Sequence, residues 1–302
     1  MAYPNGIQTY QETTRREDLI DVIADISPDE NPLMTMLGTT SAAQTLHEWA
    51  DYYQGRPSSN TKSIEGDDAT FSDLSVQTRK NNITQIITQN FAVTETEAAV
   101  DKAGPRDAMA RERTRALGRW KNQAEYAVLR GTKASGSSGV ARETGGIIQF
   151  VIDEGKYTQR ASGTSLTEAE FNDMVNDSWD VTDEAVVDWI LTTGKRKRDI
   201  SGFTANNTRF MEAGDKRLVK PVAVYESDFG VHKIKAHKDM LTNAVLGIRK
   251  ENIKVAYLTN RKPKFVELAK TGDSEKGQIV GELCPEVMSA RAMTLRANYN
   301  LN

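Results

Sequence analysis

The chain has 302 residues, with 39 Lys and Arg against 42 Asp and Glu for a formal charge of −3; 38% of residues are hydrophobic, 27% charged and 7% aromatic. That length supports about two compact units with real cores, and 21 Gly and 8 Pro exclude collagen-like and disordered chains. So balanced a charge argues against a protein whose main task is sequence-specific binding of nucleic acid through a basic face.

The longest apolar runs, four residues each as at Val222 to Tyr225 and Val255 to Leu258, fall far short of the about 18 to 20 residues a membrane-spanning helix needs. No export signal is visible in the opening residues, so the expected home is the cytoplasm. One cysteine, Cys284, closes no intramolecular disulfide, and stability must come from packing or assembly. Charge is uneven locally. Residues 12–30 carry seven acids and two bases, whereas 249–264 carry Arg249, Lys250, Lys254, Arg261, Lys262 and Lys264 against Glu251. Such clusters attract between copies, meet within one subunit, or stay solvated.

In chain order, Thr14-Arg-Arg-Glu17 fits a capping box and Leu19, Ile23 and Ile26 follow on one face, predicting a short helix that ends by Pro28 and Pro32. The apolar stretch Leu33 to Leu37 should dock on something. Residues 44–54 read as a strand and 71–97 as a longer one, with a polar loop between. In the second strand Ile83, Gln85, Ile87, Gln89 and Phe91 alternate with Asn82, Thr84, Ile86, Thr88 and Asn90, so neither face is cleanly apolar. An isolated ribbon of this kind is marginal, and either its own chain or a neighbouring subunit must cover it. Gly104-Pro105 opens a long helix running to Gly131, with a buried stripe at Leu117, Trp120, Ala124, Ala127 and Val128 and a basic first half. The Gly/Ser stretch 131–146 is the expected flexible boundary.

A capping box at Thr167 and Glu170 with Phe171, Met174, Val175 and Trp179 predicts a second helix. A short helix after Thr182, a buried strand from Trp189 and a short helix from Lys195 to Phe203 should follow. Short β runs then succeed one another at 221–225, 231–236, 245–248, 253–259, 265–269, 279–284 and 292–299. The class is α+β.

Chemistry finds little support. The three histidines, His47, His232 and His237, sit in no nucleophile or zinc setting, and no phosphate-cradling or hydrolase motif is present. No catalytic residue, metal site or cofactor is expected. The run Lys195, Arg196, Lys197 and Arg198 is a candidate for nonspecific contact with a nucleic-acid backbone or a solvated helix start.

The order of parts, an arm, a long ribbon, a long helix, a mixed domain and returning strands, resembles the Hong Kong-97-type major capsid fold of tailed bacteriophages. Thr14 to Pro28, Asn31-Pro-Leu33, Gly38, His47-Glu-Trp-Ala-Asp51, Glu65-Gly66, Arg79 to Gln85 and Val93-Thr-Glu-Thr96 are similar to the opening of the phage SU-ten-type major capsid family. The resemblance implies an N-terminal arm over 1–40, an extended β-hairpin loop over 41–97, and a spine helix of a peripheral domain over 98–135. An axial domain over about 136–250 and C-terminal strands over 251–302, returning to the peripheral domain, complete it. The implied function is a major capsid protein, not an enzyme, forming the pentamers and hexamers of an icosahedral shell around double-stranded DNA. It implies a place in the virion capsid, assembly in the host bacterial cytoplasm, and scaffolding, portal and decoration proteins as partners, with no membrane and no fused scaffolding segment ahead of the arm. The alternative is an encapsulin-like nanocompartment holding an enzyme cargo. Expected intersubunit contacts are Leu19 and Ile23 in the arm, Trp49, Tyr52, Ile87 and Phe91 on the ribbon, and Lys62 and Glu65 in the loop where some relatives of the wider fold crosslink.

Overall fold

The structure, a computed structural model, describes residues 31–52, 60, 62–66, 68, 77–100, 107–181, 185–203, 224–270 and 272–299. The helix expected over 14–26, the start of the long helix at Gly104-Pro105 and most of the ribbon tip lie outside them.

Helix α1 (Pro32–Met36) begins the described chain, with Pro in its first turn where a missing N–H is free of cost. It leads into β1 (Gly38–Ala42), followed by β2 (Leu46–Asp51), β3 (Thr78–Ile83) and β4 (Gln85–Thr94). The one long strand expected over 71–97 is therefore two, broken at Thr84. There the Thr84 N–H donates to the Thr45 carbonyl at 2.9 Å, while its own carbonyl accepts from Arg142 Nε at 2.7 Å. The break changes the strand's partner. β3 pairs antiparallel with β2, whereas β4 pairs with β12 (Ser274–Val287).

A short α2 (Glu95–Ala99) precedes the spine helix α3 (Ala108–Arg130), whose first turn is capped by Asp107 Oδ1 accepting from the Ala110 N–H at 2.9 Å. Residues 131–146 are a hairpin rather than a loose linker, with bridges at Ala134 to Glu143 and Ser137 to Val140. Then come α4 (Ile147–Glu154), β5 (Lys156–Thr164), α5 (Glu168–Trp179), β6 (Trp189–Thr192) and α6 (Gly194–Phe203). Residues 185–188 carry no helix. The late strands are β7 (Val224–Ser227), β8 (Gly230–Ala236), β9 (Val245–Ile248), β10 (Ile253–Leu258), β11 (Lys264–Leu268), β12 and β13 (Thr294–Tyr299).

Beside the two-stranded β2-β3 ribbon, two larger sheets organise these elements. In the first, β12 is central: β4 lies along one edge, β10 and β11 pair on the other, and β1 joins β10 in parallel. The spine helix lies across β4 and β12. Trp120, 1% exposed, meets Ile87 there and donates its indole N–H to the Ile87 carbonyl at 2.9 Å. Gly281 makes this approach possible, because a Cβ there would sit 2.6 Å from the Trp120 ring. The second sheet runs β5-β13-β9-β6-β8-β7. One face packs under α5 and α6 through Phe171, Met174, Ile190, Ile200 and Ile234. From its other face Leu191, Leu246, Ile248 and Leu295 join the cluster that holds Trp120, Ile147 and Leu283, so a single core runs between the sheets.

Strand β13 takes its place away from the first sheet. It lies inside the second sheet, parallel to β5 and antiparallel to β9, because buried Leu295 fills that sheet's inner face.

Candidate functional site

The ribbon and its footing are the first candidate, and the alternation of β2 decides where each side chain points. His47, Trp49 and Asp51 face the body, while Leu46 and Tyr52 face outward, 45% and 53% exposed. Trp49 donates its indole N–H to the Val287 carbonyl at 3.0 Å and leans on Phe150. His47 Nε2 lies 3.0 Å from a Glu286 carboxylate oxygen. Across the ribbon, Lys80 donates to Glu154 at 2.6 Å and to the Met288 carbonyl at 3.2 Å, and lies 3.0 Å from Asp51. Asn82 donates to the carbonyls of Gly145 and Pro285. The described stem is thus pinned to its own chain.

Several expected intersubunit contacts are therefore placed otherwise. Ile87 is 3% exposed beneath the spine helix, because β4 traded the ribbon for the body sheet. Phe91 stacks on Phe265 at 6.0 Å, and Arg113 sits 5.0 Å over the latter ring. Trp49 is engaged as described. Tyr52, Lys62 and Glu65 remain exposed, and Leu19 and Ile23 lie outside the described residues. A ribbon lying wholly on a neighbour does not describe this stem.

The basic run is also divided. Arg196 is 2% exposed and donates to Asp199 at 2.8 Å, Lys195 is half-buried with its ammonium nitrogen out of solvent, and Arg198 is exposed. One turn of helix cannot aim four successive side chains the same way.

Two carboxylates buried almost completely, Glu125 and Glu282, carry no signal in the sequence. Glu125, fully buried in α3, accepts from the Leu33 N–H at 2.7 Å, the Met34 N–H at 2.8 Å and His237 Nε2 at 2.7 Å. The Asp239 N–H donates to His237 Nδ1 at 3.1 Å, which makes Nε2 the ring atom that donates to Glu125. One side chain thus supplies the acceptors that α1 lacks and ties it to the segment after β8. Glu282, 2% exposed, accepts from Thr84 Oγ1 at 2.6 Å and from Arg142, with Arg261 at 3.4 Å. His232 is buried as well. Its Nδ1–H donates to the Val187 carbonyl at 2.7 Å and its Nε2 accepts from Ser227; burial holds its pKa below the ordinary 6.5, against the pull of Val187 and Asp188. Among the described residues no cluster of His, Cys, Asp and Glu could hold a metal ion. No described helix is long and apolar enough to cross a membrane.

A family model described as SU10 major capsid protein matches residues 5–299. The chain belongs to this family. A major capsid protein is a structural component of the virion capsid rather than an enzyme, and the Hong Kong-97-type fold expected from the sequence is the fold found. Solved structures agree on the fold. A Mycobacterium phage Bobi chain is 10% identical with a TM-score of 0.65, covering 97% of this chain and 98% of that one. A chain of the Cyanophage A-1(L) capsid asymmetric unit is 12% identical with a TM-score of 0.64, again covering 97% and 98%. A chain from the capsid of an empty GTA particle is 11% identical with a TM-score of 0.63, covering 96% of each. No curated protein matches the sequence.

This capsid protein leaves several large apolar side chains open to solvent. Ile64 is 78% exposed, and Trp179 and Val231 are each 56% exposed.

Proposed function

We propose that copies of this chain form the pentamers and hexamers of an icosahedral shell that encloses double-stranded DNA. Assembly takes place in the host bacterial cytoplasm, with scaffolding, portal and decoration proteins as partners. The observation that carries this reading is the family match across residues 5–299. The exposed apolar side chains support it, since Tyr52, Ile64, Trp179 and Val231 are what a partner surface would cover. A closed shell repeats one modest contact around every subunit, so no single interface need be strong. Lys62 and Glu65, exposed and between β2 and β3 in chain order, would meet a neighbour, and of the basic run the exposed Arg198 would reach a phosphate.

Electron microscopy of the overexpressed full-length chain, with nucleic-acid analysis of particles from infected cells, tests the reading. Closed shells holding double-stranded DNA are expected. Particles filled with an enzyme would replace it with the nanocompartment alternative, and a protein that stays monomeric at high concentration would overturn it.

A further inference from the structure

Where the spine helix meets the second sheet, a cleft of about 480 Å³ opens between Asn31, Gln89, Arg119, Asn122, Gln123, Tyr126, Lys238 and Asp239. The second half of α3 turns Arg119, Gln123, Tyr126 and Arg130 to solvent, a row at helical spacing that puts the two arginines about 16 Å apart along the axis. Strand β8 approaches the same cleft, because His237, just past its end, is held by Glu125 of α3. Along that strand Lys233 and Lys235 are exposed on one side, and Lys238 follows on the cleft wall. Two of these cations, Arg119 and Lys238, line the cleft itself, and Arg130 on the helix with Lys233 and Lys235 on the strand extend the positive charge away from it. None of the five has an ion pair among the described residues, and Asp239 is the one carboxylate in the cleft lining. Arg130 rests over the Tyr126 ring at 5.4 Å and Lys233 over the Trp189 ring at 5.3 Å, contacts that leave their charge available.

We infer that this junction binds the phosphate backbone of the enclosed nucleic acid, an inference that rests on the shell reading above. Unpaired cations held apart on exposed surface are costly in self-repulsion and gain most from a polyanion. The lining is cations and amides, the groups that contact phosphate and sugar without reading bases, and Gln89, Asn122 and Gln123 add neutral donors. A protein partner is less well served: specific interfaces need an apolar centre, and Tyr126 is the one large apolar group in the lining.

Two measurements test it. In the first, purified particles are acetylated while filled with DNA and again after emptying by nuclease, and modification is read by mass spectrometry. Lys233, Lys235 and Lys238 should be shielded in filled particles and released in emptied ones, with Lys262 and Lys264 unchanged. Equal reactivity in both states would overturn the inference, as would shielding that persists after emptying, which would mean an acidic segment of a sister copy covers the track.

In the second, full-length subunits carrying Arg119→Gln, Lys235→Gln and Lys238→Gln bind a short DNA duplex of mixed sequence at several salt concentrations. The slope of log affinity against log salt should fall by about 2 to 3, near 0.9 for each lost phosphate contact. The same slope as wild type, or a loss produced by Lys197→Gln with Arg198→Gln instead, would refute it. Microscopy of the same preparations separates the two readings, since shells that form normally with an unchanged slope sink this inference alone.

Discussion

Replacing Glu125 by Ala tests the junction most directly. The carboxylate serves the amides of Leu33 and Met34 and the His237 ring, all within 2.8 Å; the Leu33 and His237 bonds are buried and the Met34 bond is half-buried. Each orphaned buried donor costs about 1–3 kcal/mol. Removing a buried carboxylate also relieves its desolvation, so the net loss should sit at the low end of the sum for such donors, about 3–4 kcal/mol. Glu125→Gln is the informative control. Its carbonyl can serve Leu33 and His237 as Oε1 does, but its NH₂ then confronts the Met34 N–H, one orphan costing about 1–3 kcal/mol. Hydrogen exchange of the 31–37 peptide reads both. At 1.4 kcal/mol per decade, Ala should speed exchange of the Leu33 and Met34 amides by about 10² to 10³-fold and Gln by about ten- to a hundredfold. Exchange for Ala within tenfold of wild type would refute the reasoning, and so would a Gln variant as fast as Ala, because the count of acceptors would then not matter.

Gly281→Val should destabilise by about 1–3 kcal/mol in urea unfolding, since its Cβ would lie 2.6 Å from the Trp120 ring and 3.0 Å from the Pro263 backbone; a neutral outcome would show that the helix can lift off the sheet. For His232, burial favours the neutral ring in the folded state. Its contribution is therefore complete above the ordinary pKa and is lost as pH falls below it, the unfolded chain taking up the proton first. Urea midpoints at about pH 7 and about pH 5 should differ less for His232→Gln than for wild type.

Local chemistry made much of this fold legible. The Thr167 cap forms, with Thr167 Oγ1 accepting from the Glu170 N–H at 3.3 Å, although the Glu170 carboxylate pairs with Arg160, and the stripe at Trp120, Ala124, Ala127 and Val128 is buried while Leu117 at its start is exposed. Pairing was not legible, because a strand does not encode its partner locally. The Gln and Asn residues of β4 made both of its faces look wet, yet Ile87 on one of them is covered by Trp120 from the spine helix. Helix α4 and strand β5 hid behind the Gly/Ser stretch, whose glycines promised freedom where Gly146 in fact abuts the backbone of residues 129–131. Glu125 had the weakest signal of all. It is an acid within the apolar arc of a basic helix, where a salt bridge to a neighbouring Arg is the ordinary expectation, and its real partners lie about ninety residues back and over a hundred ahead.

The placement of β13 bears on how the molecule is made. Thr294–Tyr299 fills the gap between β5 and β9, so β5 has no neighbour in its sheet until this late stretch has been translated. Long-range pairing of this kind is slow to form, and the second body stays unfinished while the ribosome is still at work. The second sheet is then completed only once residues 294–299 have emerged, well over a hundred residues behind the strand they cover.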